Sequence, residues 1–495
     1  MTPIHNSDFY KTDHRSQYPK GTQFVYSNMT ARSSRIKGLN YTVFFGLQYF
    51  IKKYLIDDFN ENFFRQPKSH VVSRYKRRLD NALGIDAVSM KHIEELHDLQ
   101  FLPIEIKALP EGTLVPLRVP YFTIENTHKN FAWLTNFLET IISASLWHPI
   151  TTATLAFEYR HMLQRFANQT SDNPDFVRWQ GHDFSMRGQT SLESATASGM
   201  AHLLSFYGTD TIPAIDALEE YYFANSDKDI VGGSVAATEH SVMCFGGKET
   251  EEETYRRLIQ DVYPKGIVSI VSDTWDYWKI LTETLPNLKD VVMSRDGKVV
   301  IRPDSGDPVD VICGDPRAEF GSAEFKGTAE LLWETFGGRI NSKGYRELDS
   351  HIGMIYGDSI TLERANDISW RLKHKGFSTT NMVYGIGSFT YQYVTRDTFG
   401  MAIKSTAGYI DGKEVHVFKD PKTDNGMKKS AKGYLAVECN EFGDLVLVDG
   451  LTKAESSHRG LLKTVFRNGA MDVVDLKSIR DRIDYSVKVM ADKGT

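Results

Sequence analysis

Four short apolar runs decide the fold of this chain: GIVSIVSD (266–273), VVIRPD (299–304), IGMIYGD (352–358) and NMVYGIGS (381–388). The runs are rich in β-branched residues, and the first three end on Asp and the fourth on Gly and Ser. A strand buried on both faces has this composition, because helices cover both sides of a parallel sheet. The runs therefore predict parallel strands with polar side chains at their carboxyl ends.

The segments between these runs have the spacing of amphipathic helices. Apolar residues recur every three or four positions in TWDYWKILTETLPNL (274–288), GTAELLWETFGG (327–338) and TLERANDISWRLKHKG (361–376). Alternating strands and helices favour an α/β barrel or a doubly wound sheet, and in both folds the carboxyl ends of the strands carry the chemistry. We expect the functional site at those ends.

The amino-terminal flank has a different pattern. We predict a strand at 24–32, an amphipathic helix at 44–59 and a compact antiparallel β-unit at 102–127, where Pro and Gly break short alternating runs. Residues 130–167 are rich in helix formers, and Pro149 should end or kink a helix there.

The carboxy-terminal flank reads as a series of hairpins. Turns are predicted at Asp411-Gly412, Phe442-Gly443 and Asn468-Gly469, and a last helix at 476–491. LVLVDGLTKAES (445–456) superficially resembles a diphosphosugar-binding loop of type I phosphoribosyltransferases, but it lacks the second acid and the Thr-Gly turn. We interpret it as a hairpin strand.

The length of 495 residues favours more than one domain. We predict an α/β barrel over 151–390, inserted into one discontinuous, β-rich α+β domain made of 1–150 and 391–495. The fold class is α/β.

The composition excludes several classes of function. A hydrophobic content of 41%, a charged content of 25% and a net charge of -6 are ordinary for a globular protein and argue against whole-molecule attraction to nucleic acid or membrane. Cys244, Cys313 and Cys439 lie far apart, which argues against a disulfide framework or a zinc cluster. We see no signal peptide and no apolar run near the ~18 residues of a membrane span, so the cytoplasm is the expected compartment.

RPDSGDP (302–308) places a cation, a carboxylate and a hydroxyl at one strand end. Such a cluster suits a sugar phosphate, because Asp304 would accept ribose hydroxyls and Arg302 would bind phosphate or developing negative charge. Alternatively, Asp304 caps the next helix.

The last two strand ends carry Gly357-Asp358 and Gly385-Ile386-Gly387-Ser388. In barrels the final loops often cradle a phosphate with backbone N–H groups, which requires glycines. The dinucleotide pattern GxGxxG fails because its last position is Thr390, and there is no Walker A loop.

His240 lies at the first candidate strand end and Asp273 at the next. An Asp that fixes the tautomer of a His leaves the other ring nitrogen as base or nucleophile, although a single His is usually structural. Asp210, Phe184 and Arg187 complete a polar and aromatic set, with a core position as the alternative for Phe184.

Several motifs together resemble the nicotinamide phosphoribosyltransferase family, and they cover nearly the whole chain in compatible order. They are DFYKTDHRSQYP (8–19), LPIEIKALPEGTLVP (102–116), HDFSMRG (182–188), SGMAHLLSFYGTDT (198–211), AATEHS (236–241), VSIVSDTWD (268–276), VIRPDSGDP (300–308), YGDSI (356–360), TRD (395–397) and VFKDP (417–421).

The resemblance implies the irregular α/β barrel of the type II phosphoribosyltransferases and a homodimer with shared active sites. The implied reaction joins N1 of nicotinamide to C1 of 5-phosphoribosyl 1-diphosphate and gives nicotinamide mononucleotide and diphosphate, a step of NAD salvage. ATP is the implied co-substrate, hydrolysed through a phosphohistidine, and Mg²⁺ arrives with the substrate phosphates.

The resemblance also implies roles for individual residues. Phe184 stacks on nicotinamide with Tyr10 of the partner subunit opposite, and Asp210 accepts a hydrogen bond from the carboxamide. His240 is phosphorylated and Asp273 orients it. The implied catalytic residues are His240, Asp273, Arg302 and Asp304. The other implied substrate-binding residues are Arg187, Pro303, Gly357, Asp358, Gly387, Ser388 and Arg396, and the implied diphosphate-binding residues are Arg32, Arg187, His240, Arg302, Lys404 and Lys419.

Two departures from the family pattern concern the phosphates: Ser388 follows Gly387 where the vertebrate form has a third glycine, and Ala402 replaces a serine. Lys428 or Lys429 is the equivalent of a further cation. The competing functions are nicotinate phosphoribosyltransferase, a metal-dependent barrel hydrolase and a catalytically silent binding protein. The charge of Asp210 argues against the first, and the lack of HxH argues against the second.

Overall fold

The structure is a computed structural model that describes residues 2–419 and 431–492 and divides into two compact units. The first unit comprises Met1–Thr154, Glu220–Phe223 and Val394–Arg482, and the second comprises Leu155–Glu219, Ala224–Tyr393 and Ile483–Thr495. The sequence-based boundaries differ from these units in four places. Residues 151–154 and 220–223 cluster with the first unit, and residues 391–393 and those from Ile483 onward cluster with the second.

The first unit is built on a seven-stranded antiparallel sheet that joins both ends of the chain. Its strands, in spatial order, are Lys413–His416, Ala402–Ile410, Thr22–Thr30, Pro120–Asn126, Ile104–Ala108, Lys463–Arg467 and Ala470–Met471. A large apolar core packs against this sheet, with Phe44, Phe50 and Tyr121 fully buried.

The predicted hairpins of the carboxy-terminal flank are confirmed. Asp411 and Asn468 adopt positive φ angles of 48° and 50°, and the glycine that follows each also has a positive φ, as a tight hairpin turn requires. The segment 445–456 contains the hairpin strand Leu445–Leu451, paired with Tyr434–Cys439.

Two predictions for the amino-terminal flank need correction. The β-unit at 102–127 is split, since Leu114–Pro116 pairs with Tyr41–Val43 and not with its sequence neighbours. The helix Glu139–Thr170 does not end at Pro149, so of the two predicted outcomes only the kink stays a prediction. Buried Leu146 and Ile150 flank the proline, so packing of the helix outweighs the loss of one backbone donor.

Among the helices that lie wholly in the first unit, Lys68–Leu83 has 16 residues and the others are shorter. In chain order, these helices are Pro3–His5, Phe9–Lys11, His14–Gln17, Leu47–Phe50, Ile51–Asp58, Asn60–Phe64, Lys68–Leu83, Lys91–Leu99, Lys129–Phe131, Leu134–Phe137, Arg396–Thr398 and Lys453–Ser457. Three helices have residues in both units: Glu139–Thr170, Ile212–Tyr222 and Leu476–Asp492. The helix that was predicted at 44–59 begins at Leu47 as an α-helix and continues in wider π-type turns over Ile51–Asp58.

The second unit contains the predicted parallel sheet. Its seven strands, in spatial order, are Gly208–Thr209, Gly181–Asp183, Met382–Ile386, Ile352–Tyr356, Val299–Arg302, Val268–Val271 and Ala236–Ala237, and every neighbouring pair is parallel. The two ends of this sheet meet, because the Thr209 N–H donates to the Gly233 carbonyl at 2.9 Å and Gly208 bridges Gly233. The sheet is thus curled into an irregular α/β barrel, as predicted.

Helices lie between these strands, as the amphipathic spacing indicated. They are Pro174–Phe176, Val177–Gln180, Met186–Gly188, Leu192–His202, His240–Gly246, Glu251–Arg257, Leu258–Val262, Tyr277–Lys279, Ile280–Thr284, Leu285–Asn287, Lys289–Met293, Pro308–Cys313, Ala323–Lys326, Thr328–Phe336, Leu362–His374, Thr379–Asn381 and Ser388–Tyr391. A small hairpin pairs Gly338–Ile340 with Arg346–Leu348. Across the described ranges, no helix has the length and apolarity needed to cross a membrane.

Candidate active site

The four predicted strand ends lie side by side at one edge of the parallel sheet. Asp273 follows Val268–Val271, Asp304 follows Val299–Arg302, and Asp358 follows Ile352–Tyr356, while Gly387 and Ser388 follow Met382–Ile386. The carboxyl ends of parallel strands lie along one edge of the sheet. Residues that directly follow such strands are therefore brought close together.

Asp273 connects two of the candidate residues. Its buried carboxylate accepts a hydrogen bond from Nε2 of His240 at 3.1 Å and, through its other oxygen, one from the Asp304 backbone N–H at 3.1 Å. Because Nε2 carries the proton, Nδ1 of a neutral His240 ring holds the lone pair. The His240 side chain is 49% exposed, so this nitrogen can meet a ligand from solution.

Arg302 and Asp304 form a second, more buried pair. The Arg302 guanidinium donates to the Thr238 carbonyl at 2.9 Å, and its Nε lies 3.4 Å from Asp304 Oδ2. Asp304 Oδ1 is buried and has no hydrogen-bond partner among the residues that the structure describes. Burial raises the pKa of Asp304, and the Arg302 charge opposes that rise.

The alternative role of Asp304 as a helix cap is wrong. The helix Pro308–Cys313 is capped by Asp307, whose Oδ1 accepts hydrogen bonds from the Val309 and Asp310 N–H groups at 2.9 and 3.2 Å. Since the cap lies three residues further on, Asp304 is available for another task.

A cavity of about 500 Å³ is lined by residues from most strands of the barrel. Phe184, Asp210 and Arg302 line it at the carboxyl end of the strands, and Lys298 and Ile352 line it near the other end. An aromatic ring, a carboxylate and a guanidinium therefore surround one end of an otherwise largely apolar space. Such a site can hold a flat heteroaromatic ring with one polar substituent.

The Asp210 carboxylate is held by two donors on the same oxygen. Oδ1 accepts hydrogen bonds from His182 Nε2 at 2.8 Å and from Ser234 Oγ at 2.6 Å. Burial by itself raises the pKa of Asp210, but these hydrogen bonds and the charge of Arg302 leave it below its ordinary value. Asp210 is therefore a fixed negative charge at neutral pH.

Asp183 lies behind the loops that carry Phe184 and Asp210. It is fully buried, and its Oδ1 accepts hydrogen bonds from the N–H and hydroxyl of Ser185 at 2.9 and 2.6 Å. Its Oδ2 accepts one from the Thr211 hydroxyl at 2.8 Å, and its carbonyl accepts one from the Asp210 N–H at 3.0 Å. One buried carboxylate thus fixes both loops.

The glycines at the last two strand ends differ in the space available beside them. A Cβ on Gly385 would lie 2.4 Å from the Phe184 ring, and one on Gly357 would lie 2.9 Å from Asp304 Oδ1, so both glycines make room for site side chains. A Cβ on Gly387 would meet no atom within 4 Å, so its backbone borders open space. Of the predicted phosphate-loop glycines, Gly387 is the one with room for a ligand beside it.

We expect alanine at Gly385 to lower the free energy of unfolding by about 2 kcal/mol, because the Phe184 ring and the Gly357 Cα would have to shift. The matched variant Gly387→Ala should change the free energy of unfolding by less than about 1 kcal/mol. Urea denaturation followed by near-ultraviolet circular dichroism measures both. Equal midpoints for the two variants would show that the close approach of Gly385 to Phe184 is unimportant.

The remaining predicted residues are distributed over the two units. In the second unit Arg187 is exposed in the turn Met186–Gly188, Pro303 is buried between Arg302 and Asp304, and Ser388 Oγ lies close to Gly188. The first unit carries Tyr10, Arg32, Arg396, Lys404 and Lys419. Lys428 and Lys429 lie outside the described residues.

The candidate site residues of the first unit each make different contacts. Tyr10 is 64% exposed and lies edge-on to His14, with ring centroids 5.3 Å apart. Arg32 donates through Nε to the Gly400 carbonyl at 2.8 Å, and Arg396 pairs with Asp397 at 3.3 Å. Lys404 is exposed on the strand Ala402–Ile410.

Four site residues were not predicted from the sequence: His182, Asp183, Ser234 and Thr238. His182 and Asp183 stand next to Phe184 in the motif HDFSMRG (182–188), and Ser234 and Thr238 flank the strand Ala236–Ala237. The signal that could have found them is adjacency to a strand end. The side chains of His182 and Ser234 bind Asp210, and the backbone carbonyl of Thr238 binds Arg302, whereas Asp183 binds residues next to Phe184 and Asp210.

The fold and the site together define a type II phosphoribosyltransferase class of protein. Over 98% of this chain, the structure superposes on 96% of a crystal structure titled nicotinate-nucleotide pyrophosphorylase from Pyrococcus furiosus, with a TM-score of 0.60 at 14% identity. Human nicotinic acid phosphoribosyltransferase gives a TM-score of 0.54 at 14% identity, covering 97% of this chain and 93% of that one. At such low identity, these matches concern the fold alone.

Sequence comparison identifies the family. The chain belongs to the nicotinate phosphoribosyltransferase (NAPRTase) family, whose pattern matches residues 179–470, and residues 4–106 match the nicotinamide phosphoribosyltransferase N-terminal domain. A protein of Acinetobacter baylyi named nicotinamide phosphoribosyltransferase is 51% identical over 100% of this chain and 99% of its own length. Proteins with the same name from Xanthomonas campestris pv. campestris and Mycoplasma pneumoniae are each 34% identical, covering 94% and 84% of this chain and 94% and 92% of their own lengths.

Proposed function

We propose that this protein is a nicotinamide phosphoribosyltransferase of NAD salvage, which transfers the 5-phosphoribosyl group of 5-phosphoribosyl 1-diphosphate to N1 of nicotinamide. The names of its full-length relatives support this assignment. The observation that carries the choice of substrate is the Asp210 carboxylate, held ionised in the same cavity as Phe184. A carboxamide can donate to it, whereas the carboxylate of nicotinate would be repelled.

The ring would lie on Phe184, with Tyr10 of the partner subunit on its other face in a homodimer with shared sites. The ring nitrogen N1 attacks C1 of the ribose, the bond between C1 and the diphosphate oxygen breaks, and diphosphate leaves with the electron pair. The transition state is oxocarbenium-like, so catalysis comes from alignment and from cations beside the leaving group.

Asp304 and Asp358 would accept the ribose hydroxyls, with Pro303 and Gly357 shaping the space beside them. The backbone at Gly387 and Ser388 would bind the 5′-phosphate, and Arg396 would reach the diphosphate. Cations that would bind the diphosphate are Arg32, Arg187, Arg302, Lys404 and Lys419. Arg302 suits this task because its guanidinium is already held by the Thr238 carbonyl and Asp304.

ATP would act through His240. The lone pair of Nδ1 attacks the γ-phosphorus of ATP, the bond to the bridging oxygen breaks and ADP leaves, while Asp273 retains the Nε2 proton. Water later hydrolyses the phosphohistidine. The geometry supports this proposal because one carboxylate orients His240 and also binds the backbone of Asp304, so a charge change at His240 is felt at the ribose site.

Mg²⁺ would arrive with the substrate phosphates, because no group of three or more His, Cys, Asp or Glu side chains in the described part of the chain could hold a metal ion by itself. Asp273, Asp304 and Asp358 follow three adjacent strands, and Asp304 Oδ1 lacks a partner within the described ranges. Mg²⁺ prefers oxygen ligands and is usually bound by one or two carboxylates together with substrate phosphates. When bound, it would neutralise charge on the departing diphosphate. Because 5-phosphoribosyl 1-diphosphate and ATP are cytoplasmic metabolites, we propose the cytoplasm as the place of action.

The test is steady-state formation of nicotinamide mononucleotide from nicotinamide and 5-phosphoribosyl 1-diphosphate, with and without ATP, with nicotinate as the competing substrate. We expect turnover of the amide that ATP accelerates in wild type and not in His240→Ala. The surface variant His374→Ala serves as a histidine control and should keep the ATP response. Turnover insensitive to ATP in wild type would remove the phosphohistidine, and no turnover of either base would overturn the transferase assignment.

Nicotinate phosphoribosyltransferase is the second candidate, because the family and one of the two superposed structures carry that name. The ionised Asp210 argues against it. Preference for nicotinate in the same competition assay would move the assignment there.

A further inference from the structure

The Asp210 carboxylate is anchored through one of its two oxygens. Oδ1 accepts both hydrogen bonds, from His182 Nε2 and from Ser234 Oγ, at 2.8 and 2.6 Å. Oδ2 accepts no hydrogen bond from any residue in the described part of the chain. With Oδ1 occupied and the carboxylate plane fixed, Oδ2 is left as the acceptor for a ligand in the adjoining cavity.

We propose that His182 is a positioning residue that sets the preference for amide over acid, with Ser234 as its partner. This inference rests on the proposed function and deepens it. An amide N–H donates to a fixed Oδ2, and a carboxylate in the same place would put negative charge against negative charge. If Oδ1 were released, Asp210 could rotate toward solvent, since its side chain is 50% exposed, and the repulsion of the acid would weaken.

The backbone holds His182 in place for this task. It lies on the strand Gly181–Asp183, in register with Gly208, and its side chain is 11% exposed. A Cβ on Gly208 would lie 2.8 Å from His182 Nδ1, so the glycine makes room for the ring. Ser234, in contrast, lies on an exposed loop. We infer that His182 supplies the rigid contact and Ser234 supplements it.

His182 also packs against Phe184, with ring centroids 4.8 Å apart. A purely structural His182 would act through that packing, and the positioning residue proposed here acts through its Nε2–H. Two variants separate these roles. His182→Phe keeps a flat ring beside Phe184 but loses the donor, whereas His182→Gln loses the ring but keeps an N–H donor that can reach Asp210.

The experiment measures kcat and KM for nicotinamide and for nicotinate in wild type, His182→Phe, His182→Gln and Ser234→Ala. For His182→Phe we expect KM for nicotinamide to rise at least tenfold with kcat changed less than threefold, and the amide-to-acid ratio of kcat/KM to fall at least tenfold. His182→Gln should keep the ratio within threefold of wild type. Ser234→Ala, at an exposed position, should lower the ratio two- to fivefold.

The outcomes distinguish this inference from the proposed function. Wild type that fails to form nicotinamide mononucleotide overturns the proposed function. Active wild type with an unchanged ratio in both His182→Phe and Ser234→Ala overturns the positioning role alone. A loss of selectivity in His182→Gln but not in His182→Phe, with thermal midpoints like wild type, also overturns it, because ring packing would then be the cause.

Discussion

Replacing Asp304 by asparagine is expected to lower kcat/KM about 1000-fold. Asp304 is a partly buried carboxylate whose buried Oδ1 is left without a partner by the described residues, and its backbone is fixed by Asp273. Two charge-assisted hydrogen bonds to ribose hydroxyls are each worth about 1.5–3 kcal/mol, and ~1.4 kcal/mol is a factor of ten in rate. Asparagine is neutral and can replace only one of these acceptors. Steady-state kinetics with 5-phosphoribosyl 1-diphosphate as the varied substrate measures the effect.

Asp307→Asn is the matched control, since Asp307 lies in the same loop and caps the helix Pro308–Cys313. Asparagine caps a helix about as well as aspartate, so both activity and stability should stay near wild type.

Because burial raises the pKa of Asp304, protonation of this carboxyl should lower wild-type activity at a higher pH than protonation of an exposed carboxyl would. The pH–rate profile of Asp304→Asn should lack this acidic limb. Retention of activity within tenfold in Asp304→Asn would remove Asp304 from the ribose site.

The barrel could be predicted from the sequence because its strands are almost entirely apolar. Such strands are stable only in a sheet whose two faces are both covered. Val268–Val271 and Ile352–Tyr356 are buried at every position, as the β-branched runs predicted. Residues that follow such strands must share an edge. The proximity of His240, Asp273 and Asp304 was therefore accessible without a structure.

Contacts between residues distant in the chain were not accessible. Thr238 and Arg302 are separated by 64 positions and meet because their strands flank Val268–Val271 on opposite sides. The periodicity of apolar residues does not show which donor a backbone carbonyl will bind. The same holds for His182 and Asp210, whose strands are neighbours only through the order of the sheet.

Local rules failed where packing outweighed them. Of the two outcomes expected at Pro149, the end of a helix is wrong, since the helix Glu139–Thr170 continues past it among fully buried side chains such as Leu146 and Ile150. Leu114–Pro116 was expected to pair with its neighbours in sequence, yet Tyr41–Val43 is its partner. In both cases the decision depends on residues outside the window that a propensity argument examines.

Replacing the buried Asp183 by alanine is expected to lower the free energy of unfolding by about 4 kcal/mol. The change leaves three buried donors unpaired, the N–H and hydroxyl of Ser185 and the hydroxyl of Thr211, at a cost of about 1–3 kcal/mol each. It also frees the loops that carry Phe184 and Asp210, so the folded fraction should show a raised KM for nicotinamide. Urea denaturation and thermal melting measure the first effect, and steady-state kinetics measures the second.

Asp172→Ala provides the matched control, because Asp172 makes the same pair of contacts at the surface. Its carboxylate accepts hydrogen bonds from the N–H and hydroxyl of Ser342 at 3.1 and 2.5 Å, and those hydrogen bonds lower the pKa of Asp172. Water replaces an exposed acceptor, so the free energy of unfolding should fall far less than in Asp183→Ala. Equal losses in the two variants would contradict the role of burial. A stable Asp183→Ala with an unchanged KM would show that the two loops are held by their strands alone.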